Sequence, residues 1–566
     1  MRLHPPPAGG NRLRNRRLLI ALSAGLAALE ALLVVTIGPH TAAALAPQLV
    51  APAPFGVFHD LRWLVVYHSS WFGFAVELWL VLGIRTVLDA LLTRAAWPHD
   101  IDPPPWREHL RASLKFTTVQ AVVLLPFAVL VFAMAVTALS WLFFVAVPVL
   151  IMIGLLMHHG VVEPTWWRDP PSRRSARLIV EMFGVLTVGG GLIALSPTWL
   201  RPLVAGATGG AVAWCRVRMV RALVGRVVTR TRRRVPFALV GVAGVLALVV
   251  VGTGLGFAVA VAVESGRSPR PEVRPGASGP PVLVVKGFNS QWGGTTREWV
   301  EGDFQLRRFS YRGLDTEGTP RSYSRDDTHR SVRALAHAMR RQVAELHRAT
   351  GEDVSIVAES EGALIAQAYV AGTSNAPVRA LVLLSPLVEP GRVHYPEALR
   401  DGWGVVAGTF LDALASGLSW VGPVDVSAET PLFRSIVDEE PALRRLLHCP
   451  PPGVRGFAVL PLDSGVGTPA PMDIGYRYAV RPAFHGGLLG DSATQHLIGR
   501  VLRGTRVEGS GAEGSGVWSF AADAVNFGAA AWQAPSLDTS LEPTWDEQLD
   551  DAGCAAVRAE LRSWLD

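Results

Sequence analysis

The stretch VSIVAESEGALIAQAYV at 354–370 decides the fold of the second half of the chain. VSIVA is a short, β-branched apolar run, and GALIAQAYV places small and apolar residues at helical spacing. Between these two runs, Glu359-Ser360-Glu361 must turn the chain sharply. A strand, a tight turn with a serine at its apex and a helix form the geometry of a nucleophile elbow, so Ser360 is a candidate nucleophile. Alone, such a serine is as compatible with an ordinary turn.

Further apolar runs on either side of this stretch alternate with helical patterns. The strand candidates are 282–286, 304–311, 379–385, 454–461 and 476–480. The helical pattern at 328–350 has one apolar face, formed by Val332, Leu335, Ala336, Met339, Val343 and Leu346. Strands alternating with helices predict a mainly parallel, doubly wound sheet covered on both faces. Sites in such sheets form at the carboxyl ends of strands, where Gly287, Ser360 and Asp463 all lie.

The first 264 residues consist largely of apolar runs separated by arginine clusters. A spanning helix needs about 20 apolar residues. Seven spans are predicted: 18–38, 63–83, two within 117–157, 178–196, 202–215 and 237–263. The segment 202–215 is short and glycine-rich, but it must cross if the dense arginine loop after it is to lie in the cytoplasm. The predicted topology therefore places the second half of the chain outside the cytoplasm, in a protein of the plasma membrane.

Four ionisable residues lie within the predicted spans: Glu30, His68, Glu77 and Glu181. Such groups normally face the interior of a helix bundle, because a charge in hydrocarbon is costly. They are compatible with a polar cavity for a lipid head group or a proton, and equally with hydrogen bonds that hold the bundle together. The absence of transporter-like repeats argues against a transporter with an accessory soluble domain.

Composition and length limit the remaining possibilities. The 566 residues exceed one usual domain, and the net charge of +6 comes mainly from arginines between apolar runs, which indicates membrane topology and no nucleic-acid partner. We expect a membrane domain at 1–264, a Pro/Gly/Ser-rich linker at 265–281, an α/β domain at 282–506 and a flexible segment with a C-terminal helix at 507–566. The three cysteines have no metal-ligand spacing, so no metal or cofactor is expected. Cys449 and Cys554 could form a disulfide or remain free thiols.

From about 280 to 505 the sequence resembles the α/β-hydrolase superfamily. AESEG at 358–362 stands for the GxSxG motif, with Ala358 at the first glycine position. KGFNSQWGG at 286–294 resembles the loop that supplies an oxyanion-hole N–H, with Lys286 in place of the usual histidine. FHGGLLGDSATQHLIGRVL at 484–502 resembles the histidine loop and closing helix. The resemblance implies a serine nucleophile and no cofactor.

The order serine, acid, histidine along the chain is also that of this superfamily. The resemblance assigns the nucleophile to Ser360, the acid to Asp463 and the base to His485. The oxyanion hole would be formed by the N–H groups of Phe288 and Glu361. Reserve candidates are Asp473 and Asp438 for the acid, and His496 and His448 for the base.

The insertion at 386–453 is too long for a simple crossover and could cap the site. Its aromatic residues Trp403, Phe410 and Trp420 would favour an apolar acyl or alkyl group, or they could pack the cap onto the sheet. The expected function is a membrane-anchored, esterase- or lipase-like serine hydrolase that cleaves an ester, thioester or amide, with lipid or cell-envelope acyl groups as candidate substrates. An acyltransferase with the same triad and a non-catalytic sensor or assembly module at the membrane are the alternatives.

Overall fold

The computed structural model describes most of the chain. The described residues are 10–38, 40–137, 141–157, 160, 162, 172–227, 279–294, 302–398, 400–421, 427–467, 474–483, 485–505, 515–535 and 551–566. The linker predicted at 265–281 therefore lies outside these ranges except for its last three residues.

The N-terminal half is a bundle of helices. They are α1 Gly10–Ile37, α2 Phe55–Val66, α3 Trp71–Ala95, α4 Trp106–Thr137, α5 Trp141–Met157, α6 Arg173–Leu195 and α7 Arg201–Val227. Among the described residues, three helical segments are long and apolar enough to cross a membrane: Arg16–Ile37, Trp106–Ala133 and Arg173–Leu195. Small residues let α1 and α7 approach closely, since a Cβ on Gly209 would lie 2.7 Å from that of Ala27. This half is therefore suited to a membrane.

The predicted continuous span at 63–83 is wrong. The helix breaks between Val66 and Trp71, where the Ser70 side chain accepts a hydrogen bond from the Gly73 N–H and caps the start of α3. Segment 202–215 is part of the much longer α7. The predicted span 237–263 lies outside the described residues, and the number and direction of the crossings remain predictions.

The C-terminal half is built on a six-stranded sheet. Its strands are β1 Pro281–Val285, β2 Gln305–Arg308, β3 Val354–Glu359, β4 Val378–Leu384, β5 Arg455–Pro461 and β6 Arg477–Arg481. All neighbouring pairs are parallel, in the order β2-β1-β3-β4-β5-β6, which confirms the predicted parallel sheet. The chain leaves β1 towards β2 and later returns to the other side of β1 as β3. The boundary between β1 and β3 is thus the switch point at which such sheets bind ligands.

Helices cover both faces of this sheet. The helices of this half are α8 Val332–Thr350, α9 Glu361–Gly372, α10 Val405–Val421, α11 Pro431–Asp438, α12 Glu440–Arg445, α13 Ser464–Gly467, α14 Ser492–Leu502, α15 Ser515–Ala529 and α16 Asp551–Leu565. Residues of α8, α9 and α16 form the core on one face, and residues of α14 form the core on the other. All six predicted apolar positions of α8 are buried, which confirms its orientation.

The insertion joins the two halves, a contact that the sequence analysis did not predict. The Gly402 N–H donates to the Ser69 carbonyl (2.7 Å), and the Tyr395 ring packs at 6.3 Å from that of Phe132. Trp403 and Phe410 are 41% and 38% exposed, so these two aromatic side chains do not form a closed lining. The side chain of Trp420 lies outside the described part. The insertion reaches the predicted site through α11 instead.

The C-terminal segment contributes two packed helices where one was predicted. Helix α15 lies between α6 and the loop after β5: the Asn526 amide donates to the Gly465 carbonyl at 2.9 Å. Just beyond it, the Trp532 ring stacks on Phe183 of α6 with centroids 4.7 Å apart. Helix α16 is joined to the insertion by a Cys449–Cys554 disulfide. The predicted flexible piece GSGAEGSG at 509–516 lies outside the described residues, apart from Ser515 and Gly516.

Candidate active site

Ser360 occupies the apex of a sharp turn between β3 and α9. Its backbone has φ 56° and ψ −122°, a strained conformation for a residue with a side chain. The turn is tied to the sheet because the Ser360 N–H donates to the Leu384 carbonyl at 2.9 Å. The geometry is that of the predicted nucleophile elbow. Ala358 is fully buried in the sheet core, so a methyl group fits where the motif usually has glycine.

Two glycines allow the loop after β1 to lie directly against this turn. A Cβ on Gly287 would lie 2.8 Å from the Ser360 Cβ and 3.3 Å from its Oγ. A Cβ on Gly362 would lie 2.8 Å from the Lys286 carbonyl oxygen. Real Cβ atoms do not approach that closely, so both positions require glycine for close packing rather than for an unusual φ.

Ser360 and His485 form a hydrogen-bonded pair, with Oγ 2.7 Å from Nε2. His485 follows β6 and precedes Gly486, whose φ of +90° turns the chain back towards α14. Burial lowers the pKa of His485 to about 4, because the protonated form loses hydration. The imidazole is therefore neutral near pH 7 and can accept the serine proton.

Asp463 follows β5 and is only 1% exposed. The Leu462 N–H donates to the Ala483 carbonyl at 3.0 Å, which places the loop of Asp463 beside the loop of His485. Burial raises the pKa of Asp463 to about 7, while the backbone N–H of His485 has a smaller, opposing effect. Within the described part of the chain, neither carboxylate oxygen makes a normal hydrogen bond. Asp463, the predicted acid, thus lies beside the backbone of His485 and makes no hydrogen bond to the imidazole ring.

The predicted oxyanion donors lie on the two segments that meet at Gly287. Glu361 is the first residue of α9, so its N–H has no partner within the helix. Across the described ranges, neither this N–H nor that of Phe288 makes a hydrogen bond. The loop itself is fixed by the Asn289 N–H, which donates to Thr328 Oγ1 at 3.0 Å. These two N–H groups are thus available to a ligand.

Aromatic rings surround the Phe288 side chain. It stacks on His329, with centroids 4.8 Å apart, and contacts Phe433 of α11 at 5.4 Å. His329 is held in turn by Asn289, whose Oδ1 lies 2.8 Å from its Nε2. The site therefore has an apolar wall that the insertion helps to build.

Two glutamates flank the nucleophile, and the sequence analysis assigned no role to the side chain of either. The buried Glu359 carboxylate accepts from the Leu489 N–H at 3.3 Å and lies 3.8 Å from the Lys286 ammonium. Lys286, which stands where the resemblance has a histidine, thus pairs with a carboxylate of the AESEG motif beside the nucleophile. Glu359 therefore links the histidine loop to the loop after β1. In the sequence, its place in AESEG beside Ser360 was the one feature that pointed to a role for this side chain.

Glu361 holds the other side of the turn through Tyr311. The Tyr311 hydroxyl donates to the Lys286 carbonyl at 2.5 Å and lies 3.5 Å from Glu361 Oε2. Burial raises the pKa of the Glu361 carboxyl well above its ordinary value. Burial therefore favours the neutral form of this carboxyl beside the turn.

The reserve candidates that the structure describes have other surroundings. Asp438 pairs with Arg434 on the surface of α11 at 2.5 Å. His448 lies 3.4 Å from Glu389, and His496 is exposed on α14. Asp473 lies outside the described residues. Among the candidate bases, His485 is the one bonded to Ser360.

Comparisons with known proteins add nothing to this geometry: no protein-family model, curated protein or solved structure matches the chain. Within the described ranges, no group of three or more His, Cys, Asp or Glu side chains is placed to hold a metal ion.

The close approach at Gly287 gives a direct test of the oxyanion loop. We expect Gly287→Ala to lower kcat/KM for an ester about 100-fold, because the new methyl group displaces the loop that carries the Phe288 N–H. Steady-state kinetics of the purified protein measures this. Gly293→Ala is the matched control in the same loop, because among the described residues its Cβ would meet no atom within 4 Å. Equal activity in the two variants would argue against an oxyanion role for this loop.

Proposed function

We propose that this chain is a membrane-embedded serine hydrolase of α/β-hydrolase type that cleaves an ester, thioester or amide through an acyl-enzyme on Ser360. The observation that carries the proposal is the 2.7 Å contact between Ser360 Oγ and His485 Nε2 at a strained turn. A serine hydroxyl is a poor nucleophile until a base accepts its proton. The position at the switch point of a parallel sheet supports the same assignment.

The reaction follows from the positions of these groups. Oγ attacks the carbonyl carbon while Nε2 of His485 takes its proton, and the carbonyl oxygen becomes an oxyanion that the N–H groups of Glu361 and Phe288 stabilise. The carbon–leaving-group bond then breaks, and the imidazolium returns the proton to the leaving group. Water, deprotonated by His485, attacks the resulting acyl-Ser360. The acyl–Oγ bond then breaks, the acid leaves, and the imidazolium returns the proton to Ser360 Oγ.

Asp463 contributes through its charge, since it lies beside the His485 backbone without bonding to the ring. Its anion would stabilise the imidazolium that forms during attack, whereas the protonated carboxyl would not.

This role predicts the pH dependence. With a pKa of about 4, His485 stays neutral from pH 5 upwards. Asp463, with a pKa of about 7, is protonated below that pH and ionised above it. We therefore expect kcat/KM to rise as pH increases through about 7, because the stabilising anion is present only on the alkaline side. A pH profile over the neutral range measures this.

Variants at two aspartates identify the group whose ionisation causes this rise in kcat/KM. Asp463→Asn should lower the alkaline plateau about 100-fold and remove the rise. Asp438→Asn, at an exposed aspartate paired with Arg434, should retain both. A rise that persists in Asp463→Asn would show that another group titrates.

The surroundings of the site support a lipid-like acyl group as substrate. Phe433, which contacts Phe288, lies on α11, and this helix also packs against α4 of the N-terminal half. The site is thus close to the helices that would lie in the bilayer. The Cys449–Cys554 disulfide supports an oxidising compartment and hence an extracytoplasmic C-terminal domain at the plasma membrane.

The decisive experiment presents esters, thioesters and amides of increasing acyl length to the full chain in vesicles. We expect release of the acid and an acyl adduct on the peptide that contains Ser360. A matched assay with an added long-chain alcohol separates hydrolysis from acyl transfer, because transfer gives a new ester instead of the acid. Failure to form an adduct with every substrate class would favour a non-catalytic sensor.

A further inference from the structure

A second cavity lies in the N-terminal half, far along the chain from Ser360. Helices α2 and α3 form a hairpin, and the groove between them encloses about 350 Å³. A volume of this size is within the range of small-molecule sites. Its walls are mainly apolar and are formed by Trp63, Leu64, Leu80, Val81, Ile84 and Leu88.

The groove opens onto a helix face that is covered by apolar side chains. Phe72, Trp79 and Ile84 of α3 are 80%, 70% and 58% exposed. A face this apolar on a helix of a membrane bundle is expected to contact lipid. The hydrocarbon chains of the bilayer are therefore the molecules that would lie closest to the opening of this groove.

The groove has the length of one lipid leaflet. It extends from Tyr67 and Glu77 near the hairpin turn to Leu88. Leu88 lies eleven positions after Glu77 in α3, which corresponds to about 16 Å at 1.5 Å per residue. The hydrocarbon of one leaflet is about 15 Å thick. The groove thus matches one extended acyl chain.

The polar end of the groove lies next to the C-terminal half. The turn between α2 and α3 contacts the insertion, because the Val406 N–H donates to His68 Nε2 at 3.0 Å. Tyr67, which lines the groove, directly precedes His68. The Tyr67–Glu77 end therefore faces the side of the bundle where lipid head groups meet the water-exposed domain.

Charge distinguishes this end from the rest of the groove. The Asp60 carboxylate is neutralised by Arg85, with two contacts of 2.6 and 2.5 Å. Glu77, in contrast, has no hydrogen bond or ion pair within the described part of the chain. An unpaired carboxylate at the end of an apolar groove is costly, so a cation from a ligand is its natural partner.

We propose that the groove between α2 and α3 binds a phospholipid whose head group ends in a primary ammonium, such as phosphatidylethanolamine. Its acyl chain lies along Leu80, Ile84 and Leu88, and its ammonium donates to Glu77. Lipid tails are as apolar as the groove walls, so the walls alone give little selectivity. Selectivity comes from the ammonium N–H donors, which a choline head group lacks. This site does not depend on catalysis by Ser360.

Photolabelling tests this site. The full chain is placed in phosphatidylcholine vesicles that contain a small fraction of phosphatidylethanolamine with a diazirine in its acyl chain. After illumination, labelled peptides are mapped by mass spectrometry, and a diazirine phosphatidylcholine serves as the comparison probe. We expect labelling of α2 and α3 by the ethanolamine probe to exceed that by the choline probe about tenfold.

Three variants separate a groove from general lipid contact. Ile84→Trp should fill the groove and remove most of this labelling, and Leu80→Trp provides a second blockage if the first does not fold. Leu91→Trp, at a residue of α3 that is 51% exposed and outside the groove, should label like the wild type. Glu77→Gln should remove the preference for the ethanolamine probe. Equal labelling by both probes, or unchanged labelling in both groove-filling variants, would show only unselective annular lipid.

Discussion

Ser360→Ala should lose hydrolysis of the best ester substrate by about 10⁴-fold or more. Removal of a serine nucleophile leaves only the contribution of substrate binding and the oxyanion hole. The Oγ at 2.7 Å from His485 is the atom that forms and breaks the acyl bond in the proposed mechanism. Initial rates with purified protein measure the loss, and the acyl adduct on the Ser360 peptide should disappear with it.

Ser385→Ala is the matched control for this variant. Ser385 ends the neighbouring strand, is fully buried and also has a positive φ, of 44°. Its hydroxyl has no hydrogen-bond partner in the described ranges, so its removal should leave the rate within about twofold of the wild type. Similar rates for Ser360→Ala and wild type would contradict the assignment of the nucleophile.

The double variant Cys449→Ser/Cys554→Ser should lose about 4 kcal/mol of unfolding free energy, because the disulfide closes a separation of 105 residues. It attaches α16 to the insertion, and α16 places Leu561 and Trp564 in the core on one face of the sheet. The midpoint of thermal unfolding should fall by about 10 °C. Circular dichroism or tryptophan fluorescence on heating measures the shift.

Reduction supplies the control for the disulfide. A reducing agent should lower the midpoint of the wild type towards that of the double variant and should leave the variant unchanged. The free Cys215 in the N-terminal half is present in both proteins, so it does not contribute to the difference between their unfolding midpoints. Equal midpoints for oxidised wild type and double variant would show that the crosslink does not stabilise the C-terminal half.

Local patterns were sufficient to predict the sheet and the serine–histidine pair. Strands β1, β3, β4 and β5 are short, mainly buried apolar runs, as expected inside a parallel sheet, so their own sequences identify them. The elbow is equally local, because its strand, turn and helix are consecutive. Ser360 and His485 are 125 residues apart, yet both follow strands of one parallel sheet, and parallel strands bring their carboxyl ends together.

The features that sequence did not predict depend on packing between distant segments. The helix break before Trp71 depends on the Ser70 cap and on the contact of Ser69 with Gly402 of the insertion. The role of α15 depends on its fit between α6 and the loop of Asp463. The pairing of Lys286 with Glu359 joins residues of two motifs that lie far apart along the chain.

Labelling by a fluorophosphonate probe tests the central claim, an unusually reactive Ser360 hydroxyl, most directly because it requires no knowledge of the substrate. In membranes that contain the full chain, we predict covalent labelling of wild type on Ser360 and nearly complete loss of label in His485→Ala. His496→Ala, at an exposed histidine of α14, should label like the wild type. Wild-type labelling that His485→Ala leaves unchanged, or a label that maps to another residue, would contradict the account.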